Sequence, residues 1–138
     1  MRVAQGKLRV ETAGAGFVDI TAQVASWLAD TRLDAGTLTL FCRHTSAGLI
    51  ISENASPAVR RDLLRWLDRL APEGSQYEHD DEGPDDMPAH IKAMLSGSAL
   101  SVPFSEGRML LGTWQAIYLT EFRTPGHRRE IVLTAIGD

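Results

Sequence analysis

The sequence lacks most of what marks an exported or membrane-bound protein. Its 138 residues include one cysteine, so no internal disulfide can form. No apolar run reaches the roughly 20 residues that cross a bilayer. The first residues, Met1 to Lys7, hold no apolar stretch of signal-peptide length. We therefore expect a cytoplasmic protein with no membrane partner.

The sequence also lacks an excess of basic residues. Lys and Arg total 14 against 18 for Asp and Glu, which leaves a net charge of −4. Proteins that bind nucleic acid without strong sequence preference usually carry a basic face, so we expect no nucleic-acid partner. A local phosphate site is still compatible with this charge. The length and a hydrophobic share of 43% fit one globular domain over residues 1–138.

Hydrophobic periodicity predicts more strands than helices, often joined by short turns. This pattern indicates an α+β fold with helices packed on a largely antiparallel or mixed sheet. The predicted strands are 7–12, 17–20, 37–43, 47–52, 100–104, 109–122 with a break at Gly112, and 130–136. The predicted helices are one capped by Thr21 that stops before Gly36, one capped by Ser56 with Pro57 at its first position that ends at Pro72, and one over 88–95.

The second predicted helix is amphipathic, with an apolar stripe that includes Leu63, Trp66 and Leu70 and a charged, solvated side. Cys42 lies in an apolar strand, where an inert buried thiol is the simple interpretation. A chemical role is the alternative, because His44 follows two residues later on the same strand face.

A histidine turn, His44-Thr45-Ser46-Ala47-Gly48, joins two apolar strands. Hydroxyls and free backbone N–H groups in such a turn can hold a phosphate or an oxyanion. The alternative is a tight turn in which the hydroxyls of Thr45 and Ser46 bond their own backbone. The residues alone do not favour either interpretation.

An acidic loop over 73–86 contains His79, and His90 follows shortly after it. Asp86 and His90 are four residues apart, so they share a face of the predicted helix. Imidazoles and carboxylates in one short segment are typical of a divalent-metal or general acid–base site. The spacing matches no standard zinc motif, and a solvated acidic loop with incidental histidines is the alternative.

Other polar residues stand out near the C-terminus. Gly112 breaks the alternation of an apolar strand and is followed by Trp114 and Gln115, a pattern that suggests a bulge or a close backbone approach. Gln115 and Glu121 are polar residues in an apolar stretch and need buried partners, so they could line the same pocket. Trp114 is more typical of a core residue, and His127 of a surface residue. The arginines that could hold phosphate are Arg108, Arg123, Arg128 and Arg129.

Several motifs occurring in order resemble the YjbQ-like family, small proteins often labelled secondary thiamine-phosphate synthases. The resemblance runs from about residue 5 to the C-terminus. The motifs are His44-Thr45-Ser46-Ala47-Gly48-Leu49, Glu53-Asn54-Ala55, Asp62-Leu63, Glu82-Gly83-Pro84-Asp85-Asp86-Met87-Pro88-Ala89-His90-Ile91 and Leu111-Gly112-Thr113-Trp114-Gln115.

The resemblance implies a compact α+β fold that assembles as a homotrimer. It places a pocket between the histidine turn, the acidic loop and the Gly112–Gln115 strand, near a subunit boundary. The positions that match the family's polar pattern are His44, Asn54, Asp85, His90, Gly112, Gln115 and Glu121.

Residue chemistry and resemblance together predict one site. The expected catalytic residues are His44, His90 and Glu121. The expected substrate-binding residues are Thr45, Ser46, Asn54, Arg108, Gly112, Trp114, Gln115 and Arg123. The expected ligands of a divalent ion, Mg²⁺ or Zn²⁺, are His79, Asp85, Asp86 and His90.

Three functions are compatible with such a site. The first is a transferase that joins a pyrimidine diphosphate to a thiazole phosphate, with a metal neutralising the leaving pyrophosphate. The second is a metal-dependent hydrolase or transferase acting on another small phosphorylated molecule. The third is a non-catalytic trimer that binds a ligand or a metal.

Overall fold

The computed structural model describes residues 1–74 and 76–138. None of the helices in these ranges is long and apolar enough to cross a bilayer. The strands are β1 (Arg2–Glu11), β2 (Gly16–Asp19), β3 (Gly36–Cys42), β4 (Ala47–Glu53), β5 (Ala99–Ser105), β6 (Arg108–Met109), β7 (Gln115–Glu121) and β8 (Arg128–Gly137). The helices are α1 (Thr21–Thr31), α2 (Pro57–Leu70) and α3 (Asp86–Ser96).

The strands form two antiparallel sheets, which confirms the predicted α+β class. One sheet has the order β1-β8-β3-β5-β6 and the other the order β2-β7-β4. The main core lies between the sheets, with α1 contributing Val24 and Leu28. Its largest fully buried apolar strand side chains are Leu38, Leu40, Leu49, Ile117, Leu119, Ile131 and Leu133.

Strand β7 is buried on both faces. Ile117 and Leu119 face the five-stranded sheet as part of the main core. Thr120 points to the opposite face, where its hydroxyl lies 3.4 Å from that of Ser96 on α3. Burial on both sides explains why the centre of β7, residues 116–119, is continuously apolar instead of alternating.

Helices α2 and α3 cover the outer face of the three-stranded sheet. Ala89 and Ala93 of α3 pack with Phe122 in a second, smaller core, and Leu67 of α2 lies against it. Helix α2 has no fully buried residue. The side chains of Trp66 and Leu70 are about half exposed, at 52% and 51%, so the predicted apolar stripe is only partly covered.

The predicted cap of the first helix was wrong. Thr21 is the first helical residue and not the cap. Its hydroxyl accepts the backbone N–H of Ile117 at 2.9 Å, while the carboxylate of Asp19 accepts the N–H of Thr21 at 2.9 Å. The hydroxyl is therefore used to join the helix to the sheet. Ser56 and Pro57 do begin α2 as predicted, but without a side-chain cap bond.

The break in the last long apolar stretch is wider than the predicted interruption at Gly112. Strand β6 ends at Met109, and β7 begins at Gln115 in the other sheet. Between them the side-chain oxygen of Gln115 accepts the N–H of Gly112 at 2.7 Å. The segment is therefore a crossing between sheets.

The core between the sheets sets the stability of the fold. Leu133→Ala removes a fully buried side chain, so we expect the free energy of unfolding to fall by about 2–5 kcal/mol. Leu70→Ala changes the same residue type at a half-exposed position, where we expect a change within roughly 0.5 kcal/mol. Urea denaturation measures both. Equal effects of the two substitutions would contradict the described core.

Candidate functional site

Three predicted metal-binding side chains meet in a His79–Asp86–His90 cluster. One ligand atom from each residue lies within 4.8 Å of the other two. Oδ2 of Asp86 is 2.8 Å from Nε2 of His79 and 3.1 Å from Nε2 of His90. Asp86 and His90 share a face of α3, as their spacing predicts, while His79 approaches from the acidic loop.

The ring of His90 is held in one orientation by the histidine turn. Its Nδ1 lies 2.9 Å from the backbone carbonyl oxygen of Thr45. A carbonyl oxygen only accepts hydrogen bonds, so Nδ1 carries the proton and Nε2 points at Asp86. An imidazole N–H given to a backbone carbonyl is the usual outer support of a metal-binding histidine.

Asp86 is the buried anchor of the cluster, with a side chain 3% exposed. Its other oxygen, Oδ1, lies 3.1 Å from Nη1 of Arg123. Burial alone would raise the pKa of Asp86. The hydrogen bond from His79 and the charges of His90 and Arg123 outweigh burial and hold this pKa below its ordinary value. Asp86 is therefore a carboxylate at neutral pH.

His79 is the most exposed member of the cluster. Its hydrogen bond to Asp86, helped by the neighbouring charge of Asp81, raises the pKa of His79 despite some desolvation. Nδ1 of His79 lies 3.4 Å from Oδ1 of Asp81. The same imidazole lines an open cleft of about 800 Å³ within the acidic loop, together with Tyr77 and Met87.

Asp85 does not join the cluster, although it was a predicted ligand. Its Oδ2 accepts Nε of Arg123 at 2.7 Å and the backbone N–H of Thr124 at 2.9 Å. Arg123 also donates to the carbonyl oxygen of Glu82 at 3.1 Å. Arg123 therefore forms ion pairs with Asp85 and Asp86 and connects the acidic loop to the end of β7. Because its guanidinium is already paired, Arg123 is poorly placed to bind a phosphate.

His44 and Thr45 lie beside the cluster. They line an open cleft of about 500 Å³ together with His90 and Ser98, so residues 44 and 90 share one cavity. Nε2 of His44 accepts the backbone N–H of Glu130 at 2.7 Å. Burial and then the charge of Arg129 lower the pKa of His44. His44 is therefore neutral at pH 7.

The remaining residues near the histidine turn, Ser46 and Glu121, are buried. Glu121 is fully buried; it accepts Nε of Arg129 at 2.9 Å and the hydroxyl of Thr12 at 2.6 Å. A second guanidinium nitrogen of Arg129 donates to Glu121 and to Oγ of Ser46. Glu121 and Ser46 hold the turn that carries His44, and in this arrangement neither reaches a ligand.

A second set of predicted residues lies at the far end of the three-stranded sheet. Ala47 pairs with Glu121 at one end of β4, whereas Glu53 pairs with Gln115 at the other. A strand of that length spans about 20 Å. Within one chain the structure does not bring this set to the histidines. Its members are Asn54, Gly112, Trp114 and Gln115, all exposed.

Arg108 is also remote from the cluster. It begins β6 in the hairpin beside β5, where it is 81% exposed and pairs with Glu106 at 3.4 Å. Position 36 of β3 pairs with the hairpin end of β5, while His44 follows the opposite end of β3. The structure thus separates Arg108 from the histidines by the length of a strand.

Sequence reasoning missed Arg43, which lines the cleft that continues from His44. Arg43 pairs with Glu130 at 2.5 Å, and its side chain is half exposed at 52%. Its position directly before the histidine turn was the sequence feature that could have identified Arg43 as a candidate site residue. Cys42 is 1% exposed, as expected for an inert thiol, and burial raises its pKa.

These features define a small α+β protein of two antiparallel sheets with an imidazole–carboxylate cluster beside one sheet edge. The chain belongs to the UPF0047 protein YjbQ-like family, whose model matches residues 6–138. It is 42% identical to UPF0047 protein YjbQ of Escherichia coli O157:H7 over 135 residues, 97% of this chain and 98% of the relative.

Solved structures of relatives share the fold. A protein of Sulfolobus solfataricus, described as YbjQ-like and of unknown function, has a TM-score of 0.91 at 25% identity and covers 99% of both chains. A Clostridium acetobutylicum member of the yjbq/upf0047 family has a TM-score of 0.87 at 37% identity, over 94% of this chain and 98% of that one.

The Glu121–Arg129 pair should make the free energy of unfolding depend on pH in the acidic range. Burial would raise the pKa of Glu121, but hydrogen bonds from Arg129 and Thr12 keep it below the ordinary 4.5. The stabilisation is therefore complete above pH 4.5 and is lost as the pH falls through the folded-state pKa. Glu121→Gln leaves the Arg129 charge buried, so we expect it to cost about 3–5 kcal/mol at pH 7.

The deficit of Glu121→Gln relative to the unmodified protein should shrink in acid, because the native carboxylate is then protonated too. Urea denaturation at a series of pH values measures this, with the exposed Glu106→Gln as the matched control that stays close to the unmodified protein. A deficit that does not change with pH would contradict the assigned ion pair.

Proposed function

We propose that the protein is an enzyme whose His79–Asp86–His90 cluster binds a divalent metal ion and acts on a small phosphorylated molecule. The proposal is supported by the ligand types, by their convergence and by the supports behind each of them.

One observation carries this proposal: the protonated Nδ1 of His90 bonds to Thr45, so its Nε2 faces the Asp86 carboxylate at 3.1 Å. If that nitrogen carries no proton, its lone pair faces a negative oxygen, so a proton or a metal cation must lie between the two atoms. The second imidazole on the same carboxylate oxygen, that of His79, favours a metal ion. Ligand atoms of a tetrahedral zinc ion lie about 3.4 Å apart. Here the carboxylate oxygen lies 2.8 and 3.1 Å from the two imidazole nitrogens, and all three atoms are within 4.8 Å of one another.

The donor set favours zinc over magnesium. Two imidazole nitrogens and one carboxylate oxygen suit Zn²⁺ and related transition metals, whereas Mg²⁺ prefers oxygen ligands. Three protein ligands also match catalytic zinc sites, which keep a coordination position open. An ion bound here would supply a Lewis acid for a phosphoryl oxygen and lower the pKa of a coordinated water.

The chain's own residues position the reacting groups. Thr45 fixes the ring of His90 through its carbonyl oxygen, and Arg123 fixes Asp86. Thr45 and Ser98 line the adjoining cleft, and Arg43, which is paired with Glu130 but half exposed, lies farther along it. These groups suit a ligand with a phosphoryl end near the cluster and further acceptor oxygens toward Arg43.

Among the expected reactions, hydrolysis or transfer at a phosphoryl group fits this arrangement best, because a zinc ion held by three protein ligands would keep a coordination position for a phosphoryl oxygen or a water. Joining a pyrimidine diphosphate to a thiazole phosphate is the narrower candidate that the family resemblance suggests. A metal ion in the cluster would neutralise the charge of the leaving pyrophosphate, which supports this candidate. Trp114, the residue expected to pack against a ring, lies far from the cluster in the same chain.

Zinc binding tests the proposed centre directly. His79→Ala and His90→Ala should each weaken zinc binding roughly 100-fold or more, because each removes one of three ligands. Asp81→Asn, which alters only the outer support of His79, should cost about tenfold. Isothermal titration of chelator-treated protein measures the affinities, and His127→Ala is the matched control with unchanged affinity. Absence of zinc binding by the unmodified protein would contradict the centre.

Activity tests the reaction. Zinc-loaded protein should hydrolyse members of a panel of small phosphomonoesters, which release phosphate, and phosphodiesters, which release an alcohol and leave a monoester. His90→Ala should lower the rate by at least about 100-fold, in line with losing a zinc ligand. Formation of thiamine phosphate from the two phosphorylated precursors is assayed in parallel. Activity that is equal in the His90→Ala and His127→Ala variants would rule out a role for the cluster.

We also propose that the protein is a cytoplasmic homotrimer. In a trimer the exposed Asn54, Trp114 and Gln115 of one subunit could lie near the histidines of a neighbour, which one chain by itself does not achieve. Light scattering on purified protein should give three times the chain mass of 15.1 kDa. A monomer at micromolar concentration would exclude the trimer as the working form.

A further inference from the structure

The imidazole of His44 extends the hydrogen-bond ladder between β3 and β8. The last paired residues are Cys42 and Ile131. Beyond them the N–H of Arg43 donates to the carbonyl oxygen of Glu130 at 3.2 Å, and the N–H of Glu130 donates to Nε2 of His44 at 2.7 Å. The ring therefore occupies the place of a backbone acceptor, and the sheet holds it.

This bond decides where the ring carries its proton. A backbone N–H only donates, so Nε2 of His44 must keep its lone pair, and the proton of the neutral ring lies on Nδ1. Uptake of a second proton at Nε2 would break the bond to Glu130. The bond therefore makes His44 a poor general base and a fixed hydrogen-bond donor. The charged groups around the ring are Arg43, Glu121, Arg129 and Glu130.

The donor side of the ring faces solvent. In residues 1–74 and 76–138 no hydrogen bond to Nδ1 of His44 is formed, and no buried side-chain nitrogen or oxygen there lacks a partner. Nδ1 is therefore accessible. The ring lines the cleft that contains His90 and also the adjoining cleft of about 420 Å³ that contains Arg43.

We propose that His44 is a ligand-binding residue that gives its Nδ1–H to an acceptor oxygen of the phosphorylated molecule, between the metal cluster and Arg43. The identity of the ligand rests on the proposed function, whereas the assignment of the His44 ring proton to Nδ1 does not. In this proposal His44 does not act as an acid or a base. It donates a hydrogen bond to an unprotonated oxygen, such as a phosphoryl group provides.

The tautomer is tested first, on metal-free protein. Long-range proton–nitrogen NMR of the histidine rings distinguishes the two neutral forms and the imidazolium. At pH 7 we expect a protonated Nδ1 and an unprotonated Nε2 for His44, assigned by its loss in His44→Gln. A proton on Nε2, alone or together with one on Nδ1, would overturn the proposal whatever the metal affinity.

Ligand binding is tested with pyrophosphate on zinc-loaded protein. His44→Gln can keep the acceptor for Glu130 but lacks the Nδ1–H, whereas His44→Asn keeps a donor near Nδ1 and loses the acceptor. We expect His44→Gln to weaken pyrophosphate binding about tenfold or more, because one hydrogen bond to a charged group is lost, and His44→Asn to stay within about threefold.

Zinc affinity should be unchanged in both His44 variants, since the ring is outside the cluster. Equal pyrophosphate affinity in His44→Gln and the unmodified protein, or a larger loss in His44→Asn than in His44→Gln, would overturn the donor role. Failure of the unmodified protein to bind zinc would instead overturn the proposed function, and the NMR measurement would still decide the tautomer.

Discussion

The buried ion pair of Glu121 and Arg129 is the interaction on which the candidate site depends. It lies where the end of β7 meets the start of β8, with Thr12 after β1 and Ser46 before β4 completing its hydrogen bonds. A buried charge pair stabilises a protein only when its remaining donors and acceptors are satisfied. Here they are, and the pair joins the two sheets at this corner.

That corner supports both halves of the proposed chemistry. It fixes the turn of residues 43–46, whose backbone carbonyl at Thr45 orients His90 and whose imidazole at His44 bonds to β8. Both rings thus carry their proton on Nδ1, but the backbone binds Nδ1 of His90 and Nε2 of His44. A carbonyl acceptor leaves Nε2 of His90 pointing at Asp86, and an amide donor leaves Nδ1–H of His44 pointing into the cleft. Backbone groups set both tautomers.

Sequence reasoning recovered the class of fold, most element positions and the convergence of His79, Asp86 and His90. It assigned Asp85 and Arg123 to ligand binding, whereas the structure pairs them with each other. It also grouped Trp114 and Gln115 with the histidines, although they lie a strand length away in the same chain. Residue type identifies a candidate, but pairing partners decide whether it is free.

The sequence by itself determined the strands, the helices and the shared face of Asp86 and His90, because these follow from periodicities within a few residues. Only the tertiary structure decided which nitrogen of each histidine is free. The partners that decide it are 45 residues away for His90 and 86 residues away for His44. Their approach is set by strand register and by the packing of α3 on its sheet, which no local pattern encodes.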